Sequence, residues 1–110
     1  MFFEVTKVYA DYGENGLLES RAPVFTWAAA HEQPDEKQTA CCVEVWNDFR
    51  PVWSSGWVET ETPRMEYGGP ALESLSAYTV RVLLRDREGR ESVEGHGDFR
   101  TPLYEPWTAK

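Results

Sequence analysis

Leu72-Glu73-Ser74-Leu75-Ser76-Ala77-Tyr78-Thr79-Val80-Arg81-Val82-Leu83-Leu84-Arg85-Asp86 decides the fold. From Tyr78 onward, Tyr78, Val80, Val82 and Leu84 alternate with Thr79, Arg81, Leu83 and Arg85. That is the period-two pattern of a strand with one face turned to a core. Leu72 stands six residues ahead of Tyr78. This is the spacing of a tyrosine corner, in which the phenol hydroxyl bonds back to the backbone of the crossover before the strand. A buried hydroxyl needs such a partner, because leaving it unmet costs on the order of 1–3 kcal/mol. Leu72 and Tyr78 are therefore fold-defining.

Working outward, Asp86-Arg87-Glu88-Gly89 predicts a hairpin turn, and a last strand returns around Asp98 to Thr101 before Pro102 ends it. Upstream, Phe2 to Tyr12 reads as a first strand closed by the turn signal Gly13-Glu14-Asn15-Gly16. After Pro23, Phe25, Trp27 and Ala29 share one face; Trp27 is the core tryptophan expected opposite the corner. His31 to Lys37 is polar and reads as a loop. From Gln38 to Asp48, Cys41, Val43 and Val45 face one way and Cys42, Glu44 and Trp46 the other. Val52 to Val58 is predicted as a short piece broken at Ser54-Ser55-Gly56, and Arg64 to Tyr67 as another short strand. Ala71 to Ser76 allows at most one helical turn, and no longer window keeps a helical apolar period. The expectation is all-β: an immunoglobulin-like (fibronectin type III-like) antiparallel β-sandwich of about seven strands. It occupies residues 1–102, with 103–110 as the start of a linker to a further domain downstream.

Composition narrows the function classes. With 110 residues, one core is all the chain can build. Hydrophobic residues at 41%, with five tryptophans, place it among globular rather than disordered chains. A formal charge of −8 speaks against a nucleic-acid partner, which calls for a basic stripe. No apolar run reaches the roughly 20 residues of a membrane helix, so no membrane partner is expected. Met1-Phe2-Phe3-Glu4 lacks a basic n-region, from which a cytoplasmic location is expected. The two cysteines, Cys41 and Cys42, are neighbours on opposite strand faces and cannot staple the two sheets together.

Six segments follow one another in an order that resembles a known domain. They are Arg21-Ala22-Pro23-Val24-Phe25-Thr26-Trp27, Gln38-Thr39-Ala40, Trp53-Ser54-Ser55-Gly56, Leu72 through Asp86 with Gly89, Phe99-Arg100-Thr101, and Trp107-Thr108-Ala109-Lys110. Together they resemble the fibronectin type III-like domain at the N-terminus of bacterial α-L-rhamnosidases. The chain departs from that pattern at Cys41, where the family favours Tyr, at Val80, where it favours Trp, and at Ser92-Val93-Glu94 in place of Ser-x-Trp. The resemblance implies a parent glycoside hydrolase that removes terminal α-L-rhamnose. It places the catalytic carboxylates in a helical barrel far downstream, which makes this domain a noncatalytic accessory that braces its neighbours in the same polypeptide.

The residues that carry chemistry agree with a noncatalytic role. Glu59-Thr60-Glu61 has the spacing of a glycosidase pair but no apolar pocket to raise one pKa. His31 and His96 stand far apart, without the short ligand spacing of a zinc site, so neither metal nor other cofactor is expected. Cys41 is expected buried and inert. Arg81 and Arg85 read as a solvated strand surface. The aromatic residues are the stronger candidates: Trp46 and Trp57 face outward, and Trp107 lies in the tail. They suit contacts with a neighbouring domain, or, as a second reading, stacking on a carbohydrate ring. A surface adhesion domain is a third reading.

Overall fold

A computed structural model describes residues 2–10, 23–33 and 36–101. The predicted turn at 13–16, the opening motif at 21–22, the 103–110 linker and Trp107 lie outside the described residues. Among the described residues seven strands form two sheets: β1 (Phe3–Ala10), β2 (Val24–His31), β3 (Ala40–Asn47), β4 (Arg50–Glu59), β5 (Arg64–Glu66), β6 (Ala77–Arg85) and β7 (Gly95–Arg100). One sheet has the order β1-β2-β5 and the other β4-β3-β6-β7, with every ladder antiparallel. This is the immunoglobulin-like sandwich read from the alternation. Ala71 to Ser76 forms no helix.

The core is built from the inward parity of each strand. Phe25 and Trp27 of β2 meet Cys41, Val43 and Val45 of β3, Tyr78, Val80, Val82 and Leu84 of β6, and Phe99 of β7. Each of these is at most 5% exposed, and a fully buried aliphatic or aromatic side chain contributes roughly 1.5–3 kcal/mol. Ala29, assigned to the same face as Phe25 and Trp27, is exposed, because the inward row ends at Trp27.

The tyrosine corner forms as the spacing requires. Tyr78 stacks on Phe99 at 5.4 Å between centroids, and its hydroxyl accepts the Glu73 amide at 2.9 Å. Leu72, 2% exposed, plugs the crossover beneath it. At the same end Thr101 is 3% exposed; its hydroxyl accepts the Ser76 amide and donates to the Glu73 carbonyl. The crossover is thus held by both β6 and the residue after β7.

Two features differ from the pattern as read. Strand β4 runs unbroken through Ser54-Ser55-Gly56, because a bulge absorbs the extra residues: the register shifts between Cys42 and Glu44, and Gly56 takes a φ of 65°. The Ser55 hydroxyl accepts the Val43 amide there, in place of a ladder carbonyl. Strand β7 begins earlier than expected, at Gly95, which pairs with Val82 of β6, and β1 packs against it. A Cβ on Gly95 would lie 2.4 Å from Val5 Cγ1, and one on Gly97 would lie 2.8 Å from the Val8 carbonyl oxygen. The two glycines let β1 seat on the second sheet, where Val93 exchanges backbone hydrogen bonds with Phe3 and Val5.

Gly97→Ala is expected to destabilise the domain by roughly 2 kcal/mol, because backbone rather than a flexible side chain blocks the methyl group. Tyr78→Phe should cost roughly 1 kcal/mol, as it orphans the Glu73 amide while keeping the stacked ring. Urea unfolding followed by tryptophan fluorescence reads both; an unchanged midpoint for Tyr78→Phe would show that water replaces the phenol.

Candidate functional site

The outward parity of β4-β3-β6-β7 gathers the predicted aromatic residues on one face. Register pairs Trp46 with Thr79, Glu44 with Arg81 and Cys42 with Leu83, while Trp57 lies across from Cys42 on β4. The face is not the plain solvated surface expected for its arginines. The Arg81 guanidinium lies 5.3 Å from the Trp46 ring, and that of Arg85 lies 3.8 Å from the Trp57 ring. Each indole therefore already carries a cation on one side, an arrangement worth about 0.5–1 kcal/mol at exposed sites.

Carboxylates hold the arginines in place. Glu94 takes the Arg81 Nε and Nη2 at 2.9 and 3.1 Å, and its Oε2 also lies 2.7 Å from His96 Nε2. Partial burial works against the charge on Glu94, but Arg81 and His96 outweigh it and keep its pKa below the usual range. Arg85 bonds Glu91 at 3.2 Å, and the Trp46 indole N–H donates to Glu44 at 3.1 Å. Trp57 is 37% exposed and Trp46 half-buried. Trp53, by contrast, turns inward, edge-on to Tyr67 at 5.1 Å. Trp27, the core tryptophan, donates its indole N–H to Gln38 Oε1 at 2.8 Å, and Gln38 Nε2 donates to the Thr60 and Thr62 carbonyls. This buried amide has its donors and acceptor met.

The remaining candidates are the Glu59–Glu61 pair and the two thiols. Glu59 and Glu61 are both exposed, and Glu61 lines a recess with Trp27, Pro63 and Leu84. Burial, reinforced by neighbouring Cys42, pushes the Cys41 thiol up to about 11, and burial leads the rise at Cys42. Both thiols are protonated at neutral pH, the form that does not attack.

His31 is the residue that sequence reasoning misplaced. It is the last residue of β2 rather than part of a polar loop, and its side chain is only 6% exposed. Its ring meets Asp86, which lies 55 positions along the chain; no local motif marks such a pair. His31, Glu36 and Asp86 bring ligand-type atoms within 4.8 Å of one another. Their hydrogen bonds make them a closed clamp. His31 Nδ1 accepts the Gln33 amide at 2.9 Å, which leaves the proton on Nε2 to bond Asp86 Oδ2 at 3.1 Å. Asp86 also accepts the Glu88 and Arg90 amides and the Arg90 Nε, each at 2.9 Å, and Glu36 accepts Arg87 Nε at 2.8 Å. A cation at this point would have to displace the Nε2 proton and two guanidinium groups. Burial pushes the Asp86 carboxyl up, yet the bonds from His31, Arg90 and Glu88 together bring it down from 3.8 to about 2. The clamp locks the end of β2 to the turn after β6, one sheet to the other.

The comparisons with known proteins fit this geometry. Residues 5–104 match the family described as the Rha78A-like, N-terminal immunoglobulin domain. This chain belongs to that family. The α-L-rhamnosidase from Dictyoglumus thermophilum superposes with a TM-score of 0.84 at 26% identity, over 93% of this chain and 13% of that one. The Streptomyces avermitilis α-L-rhamnosidase complexed with L-rhamnose superposes with a TM-score of 0.82 at 27% identity, over 92% of this chain and 11% of that one. No curated protein matches. The immunoglobulin domain thus spans about an eighth of those rhamnosidases or less.

Asp86→Asn is expected to destabilise the domain by roughly 3 kcal/mol at neutral pH, since Arg90 and His31 then face a neutral partner. A depressed carboxyl pKa adds stability that is present above its unfolded value and lost as pH falls through the folded one. The gap between wild type and Asp86→Asn should therefore close from about pH 4 to pH 2, the window between the two pKa values. Urea midpoints across that range decide it, and a constant gap would rule out the linkage.

Proposed function

We propose that this domain is the noncatalytic N-terminal accessory module of an α-L-rhamnosidase-like glycoside hydrolase, where it braces neighbouring domains of one polypeptide. The parent enzyme would hydrolyse terminal α-L-rhamnose. The observation that carries this reading is the family match over residues 5–104, together with superposition on only 13% and 11% of two rhamnosidase chains. Among the described residues, the exposed Glu59 and Glu61, two protonated thiols and an Asp86 carboxylate engaged by four hydrogen bonds support it.

Carbohydrate binding is the second reading, favoured by Trp46 and Trp57 on one sheet face. A stacking platform needs an indole face free for the sugar ring, and arginines already occupy one side of each.

One measurement tests the parent enzyme and a second separates the two readings. The 110-residue chain should not hydrolyse a chromogenic α-L-rhamnoside, whereas the longer polypeptide that carries it should. L-Rhamnose titrated into the 110-residue chain should leave tryptophan fluorescence unchanged. A saturable change abolished by Trp57→Ala would instead make the domain a carbohydrate-binding module.

A further inference from the structure

We infer that the end of the sandwich from which the chain departs at Thr101 is the docking surface for the next domain of the same polypeptide, anchored by Phe49 and Leu75. The inference rests on the accessory-module reading and assigns it a surface.

Phe49 and Leu75 are the two most exposed large apolar side chains among the described residues, at 95% and 73%. Phe49 sits at the tip of the two-residue turn between β3 and β4, beside Asp48 with its φ of 54°. Leu75 lies in the crossover before β6, itself at a φ of 54°, a left-handed backbone that a leucine rarely adopts. Strain of this kind persists only where the surroundings impose it, and it clusters at functional positions. Both residues belong to the same end of the molecule. Asn47 Nδ2 donates to the Ala77 carbonyl, which ties the β3–β4 turn to the base of the crossover. Asp48, Ala77 and Arg100 also line one shallow recess of about 410 Å³ there.

The occupant follows from where Thr101 sits. Thr101 exchanges hydrogen bonds with Ser76, the residue next to Leu75. Thr101, the last described residue, is therefore held beside the apolar patch. The two side chains offer roughly 300 Å² of apolar surface, far less than the roughly 800 Å² per partner that a free complex buries. So small a patch suits a tethered neighbour, held at an effective concentration in the millimolar range, better than a second copy or a diffusing protein. Trp46 and Trp57, the aromatic pair expected at an interface, are partly covered by Arg81 and Arg85 and offer less free apolar surface.

The test compares Phe49→Ser combined with Leu75→Asn against wild type, in the 110-residue chain and in the longer polypeptide. Asparagine takes left-handed backbone readily, so the 110-residue variant should keep or raise its urea midpoint. In the longer polypeptide the variant should split one cooperative calorimetric transition into two. An unsplit transition in that variant, with Trp57→Ala splitting it instead, would overturn this surface and leave the bracing role standing. Two independent transitions in the wild-type polypeptide would overturn the bracing role itself. Concentration-dependent dimerisation of the 110-residue chain, abolished by the double substitution, would assign the patch to a second copy and overturn the inference.

Discussion

The phenol of Tyr78 can be buried only if its hydroxyl finds a partner inside the fold, and much of the sandwich follows from how that need is met. The partner is the Glu73 amide, which lies in the crossover that carries the chain from one sheet to the other. Meeting it fixes the path of the crossover, places Leu72 in the core beneath it and brings Thr101 against Ser76 and Glu73. Antibody domains hold their sheets together with a disulfide. Here the two thiols are free and face opposite ways, so the sheets are joined by packing and by polar contacts at the two ends.

Those polar contacts divide the work. At one end the tyrosine corner and Thr101 organise the chain's departure. At the other, Asp86 collects donors from His31, Arg90 and Glu88 and closes the gap between β2 and the turn after β6. A buried charge surrounded by donors stabilises one geometry strongly and tolerates little change. Together with the glycines beneath β1, these contacts tie the two sheets to each other.

The departures from the family pattern fit this frame. Cys41 and Val80, where larger aromatic residues are favoured, are both fully buried, at 0% and 1% exposure. They share one buried cluster with Phe25, Phe99 and Tyr78, in which Phe99 lies 5.8 Å from Phe25 and 5.4 Å from Tyr78 between ring centroids.

The strands and their inward faces were legible from sequence because alternation is a local property: Tyr78 to Arg85 and Cys41 to Trp46 declare their faces residue by residue. The tyrosine corner was legible for the same reason, since its two residues lie close together in the chain. The resemblance to the rhamnosidase domain likewise rested on the order of short motifs. Tertiary structure alone decided the rest. The His31–Asp86 clamp, the stacking of Arg81 and Arg85 on Trp46 and Trp57, and the seating of Val5 and Val8 on Gly95 and Gly97 join residues far apart along the chain. The prominence of Phe49 and Leu75 is also a tertiary fact, because exposure depends on what packs nearby and not on the residue's own character. Periodicity tells which way a side chain points; only the folded chain settles what it meets there.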